Sequence, residues 1–160
     1  HTALRRQRQM CIRDRLFLGL TFNWGIIMAW TAMGNEVSFN IIILYISAIF
    51  WTLGYDTIYG TQDMSDDEII GLKSTSIKFR KNIKLFLFVS YLITSLLIIY
   101  LFLELLENNF SLFFLIGFMV TLFYQILKFD ENKSADCLKM FKLNNLSGFF
   151  LFLSLVTINI

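Results

Sequence analysis

Apolar residues in this chain fall into five long blocks separated by short polar stretches. The blocks lie at Leu16 to Met33, Val37 to Tyr55, Ile83 to Leu103, Phe110 to Leu127 and Leu143 to Ile160. Each holds about 18 to 21 residues, or roughly 27 to 32 Å of α-helix, which matches the hydrocarbon thickness of a bilayer. Backbone amides in lipid must be satisfied within the segment, and the blocks lack the alternation of barrel strands. The pattern therefore predicts an all-α integral membrane protein with five transmembrane helices.

The composition agrees with a lipid surrounding. Of the 160 residues, 56% are hydrophobic and the mean hydropathy is +0.62, which is more apolar than a soluble domain of this length requires. The net charge is only +2 and no basic tract occurs, so we expect no nucleic-acid partner. The only histidine is His1, which argues against a Ser-His pair, a His-ligated zinc or a His-ligated haem. Cys11 and Cys137 are interpreted as structural cysteines.

Basic residues are concentrated in two of the four connections. The connections after the first and third blocks are short and acidic, whereas the other two are basic and contain Lys73, Lys78, Arg80, Lys81 and Lys84, and Lys128, Lys133, Lys139 and Lys142, respectively. The positive-inside rule predicts that both basic connections face the cytoplasm or the mitochondrial matrix. Compact loops and the absence of a recognisable transit peptide favour a bacterial plasma membrane over the mitochondrial inner membrane.

The first 15 residues, HTALRRQRQMCIRDR, differ abruptly from the apolar block that begins at Leu16. They are polar and basic, show no clear amphipathic face, and resemble translated adapter sequence. We interpret residues 1–15 as an artefactual leader and residues 16–160 as one transmembrane domain.

The second connection carries a cluster of acids within the stretch YDTIYGTQDMSDDEIIGLKSTSIKF, from Tyr55 to Phe79. The acids are Asp56, Asp63, Asp66, Asp67 and Glu68. If the second helix continues through them, Asp56, Asp63 and Asp67 stand at i, i+7 and i+11 on one helical face. Carboxylates that close repel one another unless a cation lies among them.

Such a cluster has the chemistry of a magnesium site. Mg²⁺ prefers hard oxygen ligands and is commonly held by one or two carboxylates together with substrate phosphates. Lys73 follows the acids and would add a point charge for a diphosphate, and Ser74 and Thr75 would add hydrogen bonds. The residues therefore suggest activation of a diphosphate leaving group at a membrane face.

Three alternatives fit parts of this pattern. In an ordinary solvated loop, the acids would only balance the charge of the lysines. A cation transporter would use acids inside the membrane to handle its ions, and a purely structural helical bundle would need no acidic cluster. Asp56 directly follows an apolar span, and a charged side chain at that position costs free energy in a bilayer. A solvated loop without a function would not require an acid there. The apolar middle of the blocks argues against the transporter.

The same run resembles the second aspartate-rich motif of the UbiA superfamily of membrane prenyltransferases, in particular its 4-hydroxybenzoate polyprenyltransferase branch. The similarity extends to LTFNWGIIMAWTA, from Leu20 to Ala32, and to Asp136-Cys137 and FKLNN, from Phe141 to Asn145. The resemblance covers nearly all of Leu16 to Ile160 and implies the C-terminal half of a nine-helix bundle.

The resemblance also implies a reaction and a site. Asp63 and Asp67 would be the catalytic pair that binds Mg²⁺ and the polyprenyl diphosphate, and Asp56, Asp66 and Lys73 would line the same substrate site. The reaction would transfer a polyprenyl group to the ring of 4-hydroxybenzoate in ubiquinone synthesis, another aromatic acceptor being the alternative.

Two further expectations concern the rest of the site. The first aspartate-rich motif of the family does not occur in this sequence, so we expect the chain alone to be inactive. Trp24, Trp30 and Tyr59 would contact the acceptor or the prenyl chain, or else face lipid.

Overall fold

The computed structural model describes residues 12–62, 82–103, 109–130 and 133–159, and these form five α-helices without a strand. They are α1 (Ile12–Ala32), α2 (Phe39–Gln62), α3 (Ile83–Leu103), α4 (Asn109–Lys128) and α5 (Ser134–Val156), the last followed by a 3₁₀ turn (Thr157–Asn159). The predicted all-α class and the five helices are confirmed.

Several helix boundaries differ from the prediction, most of all the end of α2 and the start of α5. Helix α2 continues past Tyr55 to Gln62, and α5 begins at Ser134 rather than Leu143. Apolarity marks the part of a helix that prefers lipid, whereas the backbone hydrogen bonds continue through polar residues. In α5 the first turns are further supported by an ion pair of 3.7 Å between Asp136 and Lys139, so Lys139 lies in a helix and not in a loop.

Three segments of the described helices are long and apolar enough to cross a membrane: Phe39–Thr61, Ile83–Leu103 and Phe110–Lys128. The apolar part of α1, Leu16–Ala32, is shorter. Helix α5 falls outside this set because polar residues such as Asn144 and Asn145 interrupt its apolar run. That α1 and α5 also span stays a prediction.

Consecutive helices run in opposite directions, with α2 at the centre. Helix α2 packs against α1, α3 and α5, and α4 packs mainly against α5 and also contacts α3. Helices α2 to α5 therefore form a four-helix ring, and α1 lies outside it against α2. Between α1 and α2 the chain reverses at Gly34, whose φ of 81° suits glycine, and the Trp30 indole donates to the Glu36 carbonyl at 2.8 Å.

The inside of the ring is mainly apolar, and so is much of its outside. Ile58, Leu87, Phe118 and Leu122 are almost completely buried. Large apolar side chains such as Phe22, 70% exposed, cover the outer surface. A surface of this kind is stable against lipid and costly in water, so the helices fit the predicted bilayer partner.

Candidate active site

Asp56 lies within a helix and not in a loop. It is half-buried in the last turns of α2, about 9 Å before the helix ends at Gln62. The segment Phe39–Thr61 that contains it is apolar enough to span a membrane. A carboxylate in such a segment costs up to about 2.5 to 3.5 kcal/mol at the bilayer centre and less near its edge. Asp56 thus lies near one end of a segment that is able to cross a membrane.

The other predicted site residues lie outside the described residues. These are Asp63, Asp66, Asp67 and Lys73. The last residue of α2, Gln62, directly precedes Asp63. Their alignment on one helical face and their roles with metal and substrate stay predictions. Among the residues that the structure does describe, no group of three potential metal ligands occurs.

An aromatic stripe on α2 leads towards the acids. Trp51, Tyr55 and Tyr59 follow one another at intervals of four residues and so lie along one side of the helix. The Phe141 ring of α5 packs against Tyr55 and Tyr59, with ring centroids 6.1 and 4.9 Å apart, and Trp51 lies edge-on to Phe118 at 5.4 Å. Tyr59 is 42% exposed, so the stripe presents an aromatic surface near Asp56.

Sequence reasoning singled out only one member of this stripe, Tyr59. The four-residue spacing of the three aromatics was the available signal. Of the other aromatics considered, Trp24 is 50% exposed and packs edge-on against Tyr45, whereas Trp30 closes the turn at the end of the bundle away from Asp56. A role for Trp30 beside the acids is therefore not supported.

A buried polar network crosses the four-helix ring. The Tyr91 hydroxyl of α3 donates to Gln125 Oε1 of α4 at 2.7 Å, and Gln125 Nε2 donates to Ser147 Oγ of α5 at 3.1 Å. The Trp51 indole of α2 donates to Asn144 Oδ1 of α5 at 3.2 Å. Sequence reasoning missed this network, although Gln125 and Asn144 are isolated polar residues within apolar blocks, which is a usable signal.

Lysines surround the end of the bundle that carries Asp56. Lys84 at the start of α3, Lys128 at the end of α4 and Lys133 before α5 are all exposed there. Two of the lysines at this end pair with aspartates on exposed surfaces, Lys133 with Asp130 at 3.5 Å and Lys139 with Asp136 at 3.7 Å.

The donor set suits a magnesium–diphosphate site only in part. The Asp56 carboxylate is a hard oxygen ligand of the kind that Mg²⁺ prefers. One carboxylate does not make a site, so the fit depends on Asp63 and Asp67. Cys137, interpreted from the sequence as a structural cysteine, is buried, and its thiol contacts the Asp130 carbonyl at 3.4 Å, in agreement with that role.

Similar proteins come from several eukaryotes. The chain is 36% identical over 149 residues to the mitochondrial 4-hydroxybenzoate polyprenyltransferase of Bos taurus, covering 91% of this chain and 40% of the bovine protein. Identity to the Homo sapiens protein of the same name is 35% over 149 residues, with 91% and 39% covered. The Arabidopsis thaliana protein of that name is 50% identical over 72 residues, covering 44% of this chain and 18% of its own.

The chain thus spans about 40% or less of the length of these relatives. Their names are those of mitochondrial proteins, and the expected bacterial plasma membrane finds no support in them. No solved structure was found to match the chain. The sequence matches the UbiA prenyltransferase family over residues 11–154, which include most of α1 to α5. The chain therefore belongs to the UbiA prenyltransferase family.

Proposed function

We propose that the protein to which this chain contributes transfers a polyprenyl group from an allylic polyprenyl diphosphate to the ring of 4-hydroxybenzoate, with Mg²⁺ as cofactor. The observation that carries the proposal is similarity along almost the whole chain to proteins of that name. The position of Asp56 inside an apolar helix, on the approach to the remaining acids, supports it.

In this proposal the acids after α2 hold the metal and the diphosphate. Asp63 and Asp67 are the metal-binding pair, Asp56 and Asp66 line the same pocket, and Lys73 neutralises charge on the diphosphate. When bound, Mg²⁺ would neutralise negative charge on the diphosphate leaving group.

The proposed reaction replaces one bond with another at the first carbon of the prenyl chain. The bond from that carbon to the diphosphate oxygen breaks, and pyrophosphate leaves with the electron pair. The ring carbon ortho to the phenol of 4-hydroxybenzoate forms the new bond, and the ring then loses its proton. The aromatic stripe offers an apolar surface to the prenyl chain and helps to exclude water from the reacting carbon.

We further propose that the product enters ubiquinone synthesis and that the basic end of the bundle faces the cytoplasm or the matrix. The mitochondrial names of the relatives favour the matrix. The substrate headgroups would then be drawn from that side by the exposed lysines.

The direct test is prenyl transfer by the complete protein, with its upstream part restored, in isolated membranes. Asp63→Ala and Asp67→Ala should each lower the rate by about a hundredfold or more, because removal of a metal ligand or a charge-stabilising group has effects of that size. A chelator should abolish transfer and added Mg²⁺ should restore it. The control is Glu36→Ala, an exposed acid at the opposite end of the bundle, which should leave the rate unchanged.

An active parent that tolerates both aspartate substitutions would refute the assignment of Asp63 and Asp67. A parent that prenylates homogentisate or a naphthoate but not 4-hydroxybenzoate would keep the reaction and change the acceptor. A parent inactive towards all aromatic acceptors would refute the prenyltransferase proposal.

A further inference from the structure

The buried polar network of the ring has no part in the proposed bond-making and bond-breaking steps. Gln125 is 0% exposed and makes hydrogen bonds to α3 and α5. Hydrogen bonds between membrane helices contribute only modestly to stability on average, because polar groups also find partners when the helices separate. A network of this kind is better suited to specifying one arrangement of the helices than to holding them together.

We propose that Tyr91 and Gln125 are positioning residues for the diphosphate site, because their hydrogen-bonded pair fixes the rotation of α2 about its axis. The inference rests on the proposed function, and it concerns residues far along the chain from the acids. Three contacts on α2 carry it.

The first contact is at Gly54. The Tyr91 ring of α3 lies directly over this glycine, so that a Cβ at position 54 would collide with the ring. Tyr91 thus passes across the surface of α2 before its hydroxyl reaches Gln125 on α4. Because the hydroxyl is hydrogen-bonded to Gln125 at 2.7 Å, the position of the Tyr91 ring is fixed. Helix α2 must therefore turn Gly54 towards that ring.

The second and third contacts are at Trp51, one turn earlier on α2. Its indole donates to Asn144 on α5 and its ring lies edge-on to Phe118 on α4. Helix α2 is therefore held from α3 on one side and from α4 and α5 on the other, which opposes rotation in both directions.

Rotation of α2 matters because Asp56 comes two residues after Gly54. A carboxylate about 6 Å from the helix axis moves by about 2 Å when the helix turns by about 20°. Misplacement of roughly 1 Å at a reacting centre can lower the rate by about a hundredfold. The network thus sets the direction in which Asp56 points.

The enzymatic test uses Tyr91→Phe, which removes only the hydroxyl, and Gln125→Met, which removes both hydrogen bonds at similar volume. In the complete enzyme both should raise the KM for the prenyl diphosphate and the half-saturating Mg²⁺ concentration by about three- to tenfold. The KM for 4-hydroxybenzoate should stay the same. The double variant should raise the two constants no more than Gln125→Met alone, because both substitutions break the Tyr91–Gln125 hydrogen bond.

Two control variants separate positioning from general loss of packing. Ser111→Ala removes a buried hydrogen bond to Ser154 of 2.9 Å between α4 and α5 at the far end of the ring, and it should not change either constant. Gln125→Glu should leave both constants at the parental values, because a neutral buried carboxylic acid accepts a hydrogen bond from Tyr91 and donates one to Ser147, as the amide does. Parental constants in Gln125→Met, or an equal shift in Ser111→Ala, would overturn the inference.

A second measurement does not depend on activity. With Cys11 and Cys137 replaced by alanine, Tyr59→Cys and Phe141→Cys place thiols at neighbouring positions on α2 and α5. Cross-linking by a short bismaleimide should slow by about three- to tenfold in Gln125→Met but not in Ser111→Ala. An unchanged rate in Gln125→Met refutes positioning even if the protein proves to catalyse another reaction, and a slower rate supports it even if no prenyl transfer is found.

Discussion

Single small or polar residues inside the apolar helices determine much of how the helices of this protein pack. Gly54 lets the Tyr91 ring lie against the α2 backbone, and Gln125 holds the hydroxyl of that ring. Gln125 stands out in the sequence as an isolated polar residue in an apolar block, but neither residue indicates which side chain it meets. Their meaning depends on which helix lies opposite.

At this scale we predict that Gly54→Ala destabilises the bundle by about 1 to 3 kcal/mol, because the added methyl group meets the Tyr91 ring. Thermal unfolding of the purified chain in detergent measures the effect. Gly25→Ala is the matched control, since nothing lies within 4 Å of a Cβ at that position of α1, and it should stabilise by about 0.5 to 1 kcal/mol. Equal effects at the two positions would contradict the packing seen at Gly54.

At the scale of elements, α2 decides most of the architecture. It contacts three other helices, carries the aromatic stripe and ends one residue before Asp63. Hydrogen bonds join it to the outer helix α1: the Tyr45 hydroxyl donates to the Leu20 carbonyl at 2.7 Å, and Asn23 Nδ2 donates to Thr52 Oγ1 at 2.8 Å. These bonds lie between largely apolar surfaces, so they should help to set the register of the two helices.

We predict a coupling energy of about 0.6 kcal/mol, and at most about 1.7 kcal/mol, between Asn23→Leu and Thr52→Val in a double-mutant cycle of unfolding in detergent. The hydrogen bond is lost in either single variant. The second substitution should therefore lower the free energy of unfolding by less when the first is already present. Thr31→Val serves as control, because the Thr31 hydroxyl is exposed and bonds only within its own helix, to Ile27 at 3.0 Å and Met28 at 3.1 Å. Strict additivity of Asn23→Leu and Thr52→Val would show that the helices do not meet there.

At the scale of the whole molecule, charge and apolar surface define how the bundle sits in a membrane. Exposed lysines lie at the end that carries Asp56, and the Gly34 turn with Glu36 lies at the other. The outer surface between them is apolar. This distribution orients the site towards the side on which lysine-rich loops are retained.

We predict that single cysteines at the two ends react from opposite sides of sealed membrane vesicles. In a background without Cys11 and Cys137, Lys133→Cys should react with an impermeant maleimide only from the cytoplasmic or matrix side, and Asn35→Cys only from the other side. Both positions are exposed, so access to the reagent depends on topology alone. Labelling of both from one side would refute the crossing of the membrane by α2, α3 and α4 in turn.

The sequence by itself determined the helical class, the number of helices, the family and the acidic cluster as the candidate site. These depend on local signals: block length against bilayer thickness, and a motif contiguous in the chain. It placed the α3 boundaries correctly, but it ended α2 at Tyr55 and began α5 at Leu143, because hydropathy reports the lipid-facing part of a helix and not its hydrogen bonds. The roles of Asp63, Asp66, Asp67 and Lys73 stay predictions of the sequence.

Only the tertiary structure decided which side chains meet. It placed Asp56 inside an apolar helix, joined Trp51, Tyr55 and Tyr59 of α2 to Phe118 and Phe141, and linked α3, α4 and α5 through Tyr91, Gln125 and Ser147. The physical reason is that one sequence pattern, an apolar helix with occasional polar residues, is compatible with many helix neighbours. Close packing over glycine and the pairing of each buried polar group select among them, and both depend on residues distant in the chain.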